Sequence, residues 1–205
     1  MTIAQSLATF VVAAGLLTIT PGLDTALVLR TSAVDGARKA VLAMLGISAG
    51  LLVWGAAVAV GLAALLKASA IAFTALKWVG AAYLVWLGIT LLLRPRDRFD
   101  TASVARVNRG NWFLRGLFNN LLNPKIGVFY ISFLPQFIPT GVKAGPYTFL
   151  LALIHVVLGL VWLSTLILAT RPLNRALRRP RVVKTLDRLT GCVFVGFGVK
   201  LAVQR

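Results

Sequence analysis

Six long apolar stretches, separated by short polar segments, dominate the chain. A helix needs about 20 predominantly apolar residues to cross a bilayer, and most of these stretches reach that length. The pattern therefore predicts an all-α polytopic membrane protein with six transmembrane helices. The predicted spans are Ile3 to Leu29, Ala40 to Leu66, Ile71 to Leu93, Leu117 to Phe137, Tyr147 to Ala169 and Leu189 to Val203.

Two of these spans carry a proline in their interior. The first contains the run from Thr20 to Asp24, and the fourth contains the run from Asn123 to Lys125. Proline cannot donate a backbone hydrogen bond and clashes with the preceding turn, so spans 1 and 4 are predicted to be broken at Pro21 and Pro124. In a membrane the freed carbonyls must be satisfied by protein, water or ligand. Broken helices in corresponding positions of two halves are typical of a transport site near the bilayer midplane.

The two halves of the chain also share an order of features. A glycine followed by two aromatic residues at intervals of three begins at Gly80 in the third span and again at Gly191 in the sixth. Because each half has three spans, an odd number, the second half must enter the membrane with the opposite orientation. We therefore predict two inverted three-helix repeats, at residues 1–93 and 116–205, joined by a basic linker at residues 94–115. The alternative is chance similarity between glycine-rich aromatic helices.

The composition excludes a soluble domain. Of 205 residues, 59% are hydrophobic, and only five are acidic. A soluble protein of this size needs more charged side chains to cover its surface and has a smaller apolar fraction.

The net charge of +17 would suggest nucleic-acid binding in a soluble protein. Here most of the 22 lysines and arginines follow the first, third and fifth spans. By the positive-inside rule these basic loops face the cytoplasm and both termini face outward. The loops lack the aromatic side chains that stack bases, so we expect no nucleic-acid partner and predict contact with anionic lipid on the cytoplasmic side of the membrane instead.

Asp24 is the main candidate for chemistry, since a carboxylate at the centre of a span costs about 3 kcal/mol on insertion scales. A zwitterionic amino acid has an ammonium group that Asp24 and the freed carbonyls can bind. Its carboxylate can bind to Lys125 and to the N-terminus of a half-helix that begins near Gly22 or Pro124. A low dielectric favours the neutral form of an isolated carboxyl group, which would let Asp24 exchange a proton for substrate.

Three further polar residues are candidates for binding or coupling. Asn120 and Asn123 lie on the same predicted helix as Lys125 and have side chains able to hydrogen-bond a substrate, and His155 in the fifth span can relay protons. Structural alternatives remain open for each. The asparagines can bridge helices, and His155 can bond a neighbouring backbone. Asp24 can cap the half-helix after Pro21 and pair permanently with Lys125, serving assembly only.

The sequence resembles the lysine exporter family of the homoserine and threonine efflux (RhtB) type. The resemblance covers nearly the whole chain and is carried by the run from Thr20 to Asp24, the segment from Leu76 to Gly88 and the segment from Gly116 to Gln136. The family usually has a second proline where this chain has Leu23, which leaves the kink to the preceding proline and glycine. The resemblance implies an inner-membrane exporter of amino acids or related metabolites that is driven by the proton motive force.

We therefore predict a secondary active amino-acid exporter, without cofactor and not an enzyme, because no nucleophile has a plausible base. A neutral substrate is preferred, since the acids other than Asp24 fall in predicted loops or at span ends: Asp35, Asp97, Asp100 and Asp187. The alternatives are a metal or inorganic-ion transporter, which one histidine and one cysteine equip poorly, and a non-transporting membrane subunit. The small residues from Gly46 to Gly50 predict close helix packing, within one chain or across a homodimer.

Overall fold

A computed structural model describes residues 1–68, 70–95, 110–169 and 179–203. Most of the predicted linker and the basic segment after the fifth span lie outside these ranges. In the described residues the chain forms α-helices and no strand. The helices are α1 (Ile3–Ile19), α2 (Leu23–Val34), α3 (Ala37–Ala68), α4 (Ala70–Leu93), α5 (Trp112–Leu121), α6 (Pro124–Val128), α7 (Ala144–Leu168) and α8 (Pro180–Val203).

The first predicted break is present. A capping box between Thr2 and Gln5 starts α1, and the helix ends before Pro21. Gly22 is the N-cap of α2, and the axes of α1 and α2 differ by 51°. The missing N–H of proline and the extended backbone of Gly22 together explain why the helix stops and starts again in a new direction.

The second predicted break is also present, at Leu122 and Asn123. The Asn123 side chain accepts a hydrogen bond from the backbone N–H of Lys125 at 3.1 Å, and Pro124 occupies the first turn of α6. Such an asparagine cap followed by proline is a strong helix start. Beyond α6 the chain continues as a π-helical turn over Phe129–Phe133 and a 3₁₀ turn over Leu134–Phe137.

Two predicted helix starts need correction. The fourth span begins at Trp112 rather than Leu117, because Asn111 caps α5 with hydrogen bonds from Phe113 and Leu114. The sixth begins at Pro180 rather than Leu189. Each helix opens with a charged turn that a search for apolar runs leaves out. Helix α8 consequently has 24 residues, although the predicted apolar run alone was short.

Two segments are each long and apolar enough to cross a membrane, at Ala37–Gly61 in α3 and Ala144–Leu168 in α7. The bent pair of α1 and α2 would be a third span if it crosses as one unit. The described residues therefore agree with a polytopic membrane protein. Six spans in two inverted repeats stay a prediction.

The helices approach each other closely at small residues. Helix α3 packs along α5 and α7, and α4 packs along α8. A Cβ at Gly46 would overlap the carbonyl oxygen of Phe113, and one at Gly116 would overlap the carbonyl of Ala43. The segment from Gly46 to Gly50 therefore serves helix packing within one chain, the first of the two alternatives that the sequence left open.

Candidate functional site

Residues from both helix breaks line a single cavity of about 450 Å³, including its open mouth. Helices α1 and α2 contribute one part of the wall, and α3, α6 and α7 contribute the rest. Some of the lining residues are polar or charged, and the others are apolar. These are Leu17, Thr18, Thr20, Gly22, Asp24, Thr25, Ile47, Leu51, Asn123, Lys125, Ile126, His155, Gly159, Trp162 and Leu163.

The Lys125 ammonium binds the end of α1. Its Nζ donates to the carbonyl oxygens of Leu17 and Thr20, each at 2.9 Å. Leu17 lies four residues before Pro21, so its carbonyl is one that the proline cannot satisfy. A charged side chain of the second half of the chain thus replaces a backbone donor missing from the first half. The expectation that these freed carbonyls bind a substrate ammonium is wrong in this conformation, because Lys125 already occupies them.

The Asp24 carboxylate is held by two amides from α5. Asn119 Nδ2 donates to Oδ1 at 2.7 Å, and Asn120 Nδ2 donates to Oδ2 at 2.8 Å. Lys125 lies close enough to act on the same carboxylate electrostatically. The alternative in which Asp24 caps α2 is wrong, because the N-cap is Gly22 and Asp24 lies inside the first turn. The carboxylate therefore remains available at the cavity wall, with both oxygens already oriented.

Asn120 is fully buried and is positioned by the absence of a side chain on α3. A Cβ at Gly50 would lie 2.6 Å from Asn120 Oδ1, which is too close for any real contact. The same Oδ1 has no hydrogen-bond partner in the described part of the chain. Asn120 thus supports Asp24 without lining the cavity, whereas Asn123 caps α6 and does line it. One asparagine accordingly bridges helices, as the structural alternative held.

The N-terminus of α2 opens onto the cavity. Gly22 lines the cavity, and no side chain in the described ranges caps the free N–H groups of the first turn. A Cβ at Gly22 would be 3.5 Å from Lys125 Nζ, so the ammonium lies directly beside this helix end. The positive end of the helix dipole and a lysine side chain together form a place suited to a carboxylate.

His155 is buried in α7 and lines the cavity. Its Nδ1 lies 3.2 Å from the hydroxyl of Tyr130, and its ring packs at 5.2 Å from that of Phe129. The partner of this ring is therefore a tyrosine side chain, rather than the backbone group that the structural alternative invoked. Tyr130 is itself fully buried and holds the imidazole in a fixed orientation.

The sequence analysis did not identify several residues that line the cavity. Thr18, Thr20 and Thr25 flank the first break, and their position beside it was the one available signal. The apolar wall of Ile47, Leu51, Ile126, Gly159, Trp162 and Leu163 carries no such signal, because aliphatic residues occur on every face of these helices.

One interpretation about the acids was wrong. Asp187 was expected in a loop or at a span end, yet it is fully buried within α8 and does not line the cavity. Among the predicted site residues, Pro21 is buried beside the cavity and follows the end of α1, whereas Pro124 lies in the first turn of α6. Within the described ranges, no group of three histidine, cysteine or acidic residues is arranged to hold a metal ion.

Comparisons with known proteins indicate a single family. Residues 16–205 match the profile of the family described as LysE type translocator. A leucine efflux protein of Klebsiella pneumoniae is 35% identical, over 95% of this chain and 93% of its own length. A homoserine/homoserine lactone efflux protein of Salmonella typhimurium is 34% identical, over 93% of this chain and 92% of its own length. An uncharacterized membrane protein of Bacillus subtilis is 28% identical over 98% of this chain.

No solved structure matches the chain. The family profile, the full-length relatives named as efflux proteins and the membrane-length helices around one polar cavity all lead to the same assignment. The chain belongs to the LysE type translocator family.

Proposed function

We propose that the protein exports neutral amino acids across the bacterial inner membrane in exchange for protons. The observation that carries the proposal is the cavity between the two helix breaks, which combines a positive end, a carboxylate and an apolar wall. Each of the three matches one part of a neutral amino acid. The relatives named for leucine and homoserine efflux support the same class of substrate.

The substrate carboxylate binds at the open N-terminus of α2, beside Gly22 and Lys125. Uncapped backbone N–H groups and a lysine ammonium attract an anion there. The capped end of α6 is a weaker candidate, because Asn123 already accepts from its backbone. The two broken helices therefore differ in role, with α2 receiving the substrate and α6 supplying the lysine.

The substrate ammonium binds at Asp24, with the hydroxyl groups of Thr18 and Thr25 on the same wall. Asp24 has donors on both oxygens from Asn119 and Asn120, so a bound ammonium adds a charged donor to a carboxylate that is already oriented. The hydrophobic substrate side chain then faces Ile47, Leu51 and Leu163.

Proton exchange takes place at Asp24. An ammonium and a proton compete for the same carboxylate, because either one neutralises it in surroundings of low dielectric. Protonation from the outside then releases the substrate, and loss of that proton to the cytoplasm prepares the site for the next substrate. His155 lines the same cavity and is the second group able to carry a proton.

Transport driven by a proton gradient is the direct test. Everted membrane vesicles with an acidic lumen should accumulate radiolabelled leucine against its gradient, because protons leaving the lumen drive substrate inward. A protonophore should abolish the uptake, and vesicles without the protein give the background. Vesicles that accumulate no neutral amino acid under the imposed gradient would contradict the proposal.

We further propose that residues 1–93 and 116–205 are inverted repeats, with the basic loops in the cytoplasm. Two helix pairs support this arrangement, because α3 packs on α7 and α4 packs on α8, each helix on its counterpart in the other half. Trp112 also lies under two cations, with Arg115 at 4.3 Å and Lys39 at 5.8 Å, as suits a tryptophan at an interface with anionic lipid.

The topology can be tested with reporter fusions. A reporter active only in the cytoplasm should work when inserted in the segment between α4 and α5 and should fail when fused to the C-terminus. The physical reason is the excess of cations after the first, third and fifth spans. Activity at the C-terminus would overturn the arrangement of six spans.

A further inference from the structure

We infer that Gly159 sets the largest substrate side chain that the cavity accepts, an inference that rests on the proposed function. Gly159 lies in α7 one turn beyond His155, so both residues face the same side of the helix. Both line the cavity, together with Leu51 on α3 and Leu163 in the next turn of α7. The glycine thus forms the part of the apolar wall that has no side chain.

The space in front of Gly159 is not filled by any residue that the structure describes. A Cβ built there would meet only Leu51 Cδ1, at 3.7 Å, which is an ordinary van der Waals contact. Other buried glycines behave differently. A Cβ at Gly55 would overlap the Ala152 side chain, and one at Gly50 would collide with Asn120. Those two glycines are required for helix packing, whereas Gly159 is not.

A glycine inside a helix destabilises it relative to alanine, so a position that tolerates alanine has no structural need for glycine. The room left by the missing side chain at Gly159 belongs to the cavity. Leu51 is the described side chain within 4 Å of an added Cβ, and the cavity lining also includes the aliphatic residues Ile47 and Leu163, so this wall favours an apolar side chain over a charged one. The space therefore fits a branched aliphatic side chain, and each carbon added at position 159 takes room from it.

Replacement of Gly159 by alanine tests this inference. In everted vesicles supplied with leucine and alanine together, the leucine-to-alanine uptake ratio should fall about tenfold or more in Gly159→Ala, because one methyl group in an apolar pocket changes discrimination by that order. Gly159→Val should lower the ratio further. Thermal unfolding in detergent should show Gly159→Ala to be at least as stable as the wild type.

Gly15→Ala is the matched control. Gly15 also lies inside a helix, in α1, with nothing within 4 Å of an added Cβ, and it does not line the cavity. The Gly15→Ala variant should leave the leucine-to-alanine uptake ratio unchanged. An unchanged ratio in Gly159→Ala, or an equal loss of both substrates, would overturn the inference. Wild-type vesicles that accumulate neither amino acid would contradict the proposed function itself.

Cysteine labelling gives a second readout that does not depend on transport. Cys192 is exposed and is the one cysteine in the sequence, so Cys192→Ser provides a background without thiols. In that background, Gly159→Cys should react with a small water-soluble methanethiosulfonate. Alanine, whose side chain is small enough to bind beside the added thiol, should slow the reaction severalfold, while arginine should not. A reaction rate that alanine leaves unchanged would remove Gly159 from the substrate pocket.

Discussion

Asp24→Asn is expected to reduce gradient-driven uptake to the background of vesicles without the protein, while the protein remains folded. The substitution removes the exchangeable charge and keeps the shape of the side chain. One oxygen remains to accept from Asn119 or Asn120, and the new amide N–H₂ group faces the other donor. Because Asn120 Oδ1 has no hydrogen-bond partner among the described residues, rotation of that amide by half a turn provides an acceptor. The loss of stability should therefore be about 1 kcal/mol.

Uptake in everted vesicles and thermal unfolding in detergent check the two parts of this prediction. Asp35→Asn is the matched control, because Asp35 lies at the end of α2, 3.9 Å from Lys39, and does not line the cavity. That variant should transport normally. Normal uptake in Asp24→Asn would exclude Asp24 as the coupling residue and leave His155 as the candidate.

Lys125→Met is expected to abolish uptake and to destabilise the protein by about 1–3 kcal/mol, the usual cost of leaving a buried polar group without its partner. The variant removes the donor to the carbonyls of Leu17 and Thr20 and the positive charge beside Gly22. Unfolding in detergent measures the first effect, and uptake measures the second. Lys143→Met, at an exposed lysine before α7, should change neither.

A second substitution separates the two roles of Lys125. Pro21→Ala returns a backbone N–H that can donate to the Leu17 carbonyl once α1 extends by a residue. In the Lys125→Met background it should recover part of the lost stability, so the two changes should be non-additive by about 1 kcal/mol. Uptake should stay at background, because no cation stands at the substrate carboxylate. Additive destabilisation would show that Lys125 does not compensate for the proline.

The sequence was sufficient to predict the helical class, the two breaks and the residues nearest to them. Proline and a lone carboxylate in apolar surroundings have strong local consequences, so Pro21, Pro124, Asp24 and Lys125 are recognisable without a structure, whereas the role of Asn123 as a helix cap was not predicted. The helix starts at Trp112 and Pro180 were missed, because capping and amphipathic turns add charged residues to a span. Hydropathy alone cannot include these turns.

The sequence could not predict which residues bond to each other across the cavity. The pattern indicated that freed carbonyls needed donors, but only the structure shows that the Lys125 side chain on α6 reaches the end of α1 and provides them. The burial of Asp187 likewise depends on how α8 packs, and a helical segment rich in arginine resembles a loop when it is read alone. The make-up of the wall around Gly159 depends only on tertiary packing. In the sequence, nothing distinguishes its aliphatic residues from those that face lipid.

The hydrogen bonds at the two breaks cross between the halves of the chain, and this has a consequence for the empty protein. Lys125 holds the end of α1, while Asn119 and Asn120 hold Asp24 on α2. Any rearrangement that parts the halves here must break these four bonds together, and bonds to charged groups contribute about 1.5–3 kcal/mol each. Without a bound substrate or proton to offset this cost, the carrier resists opening to the other side. We expect a cell that makes it to avoid futile proton leakage between transport events.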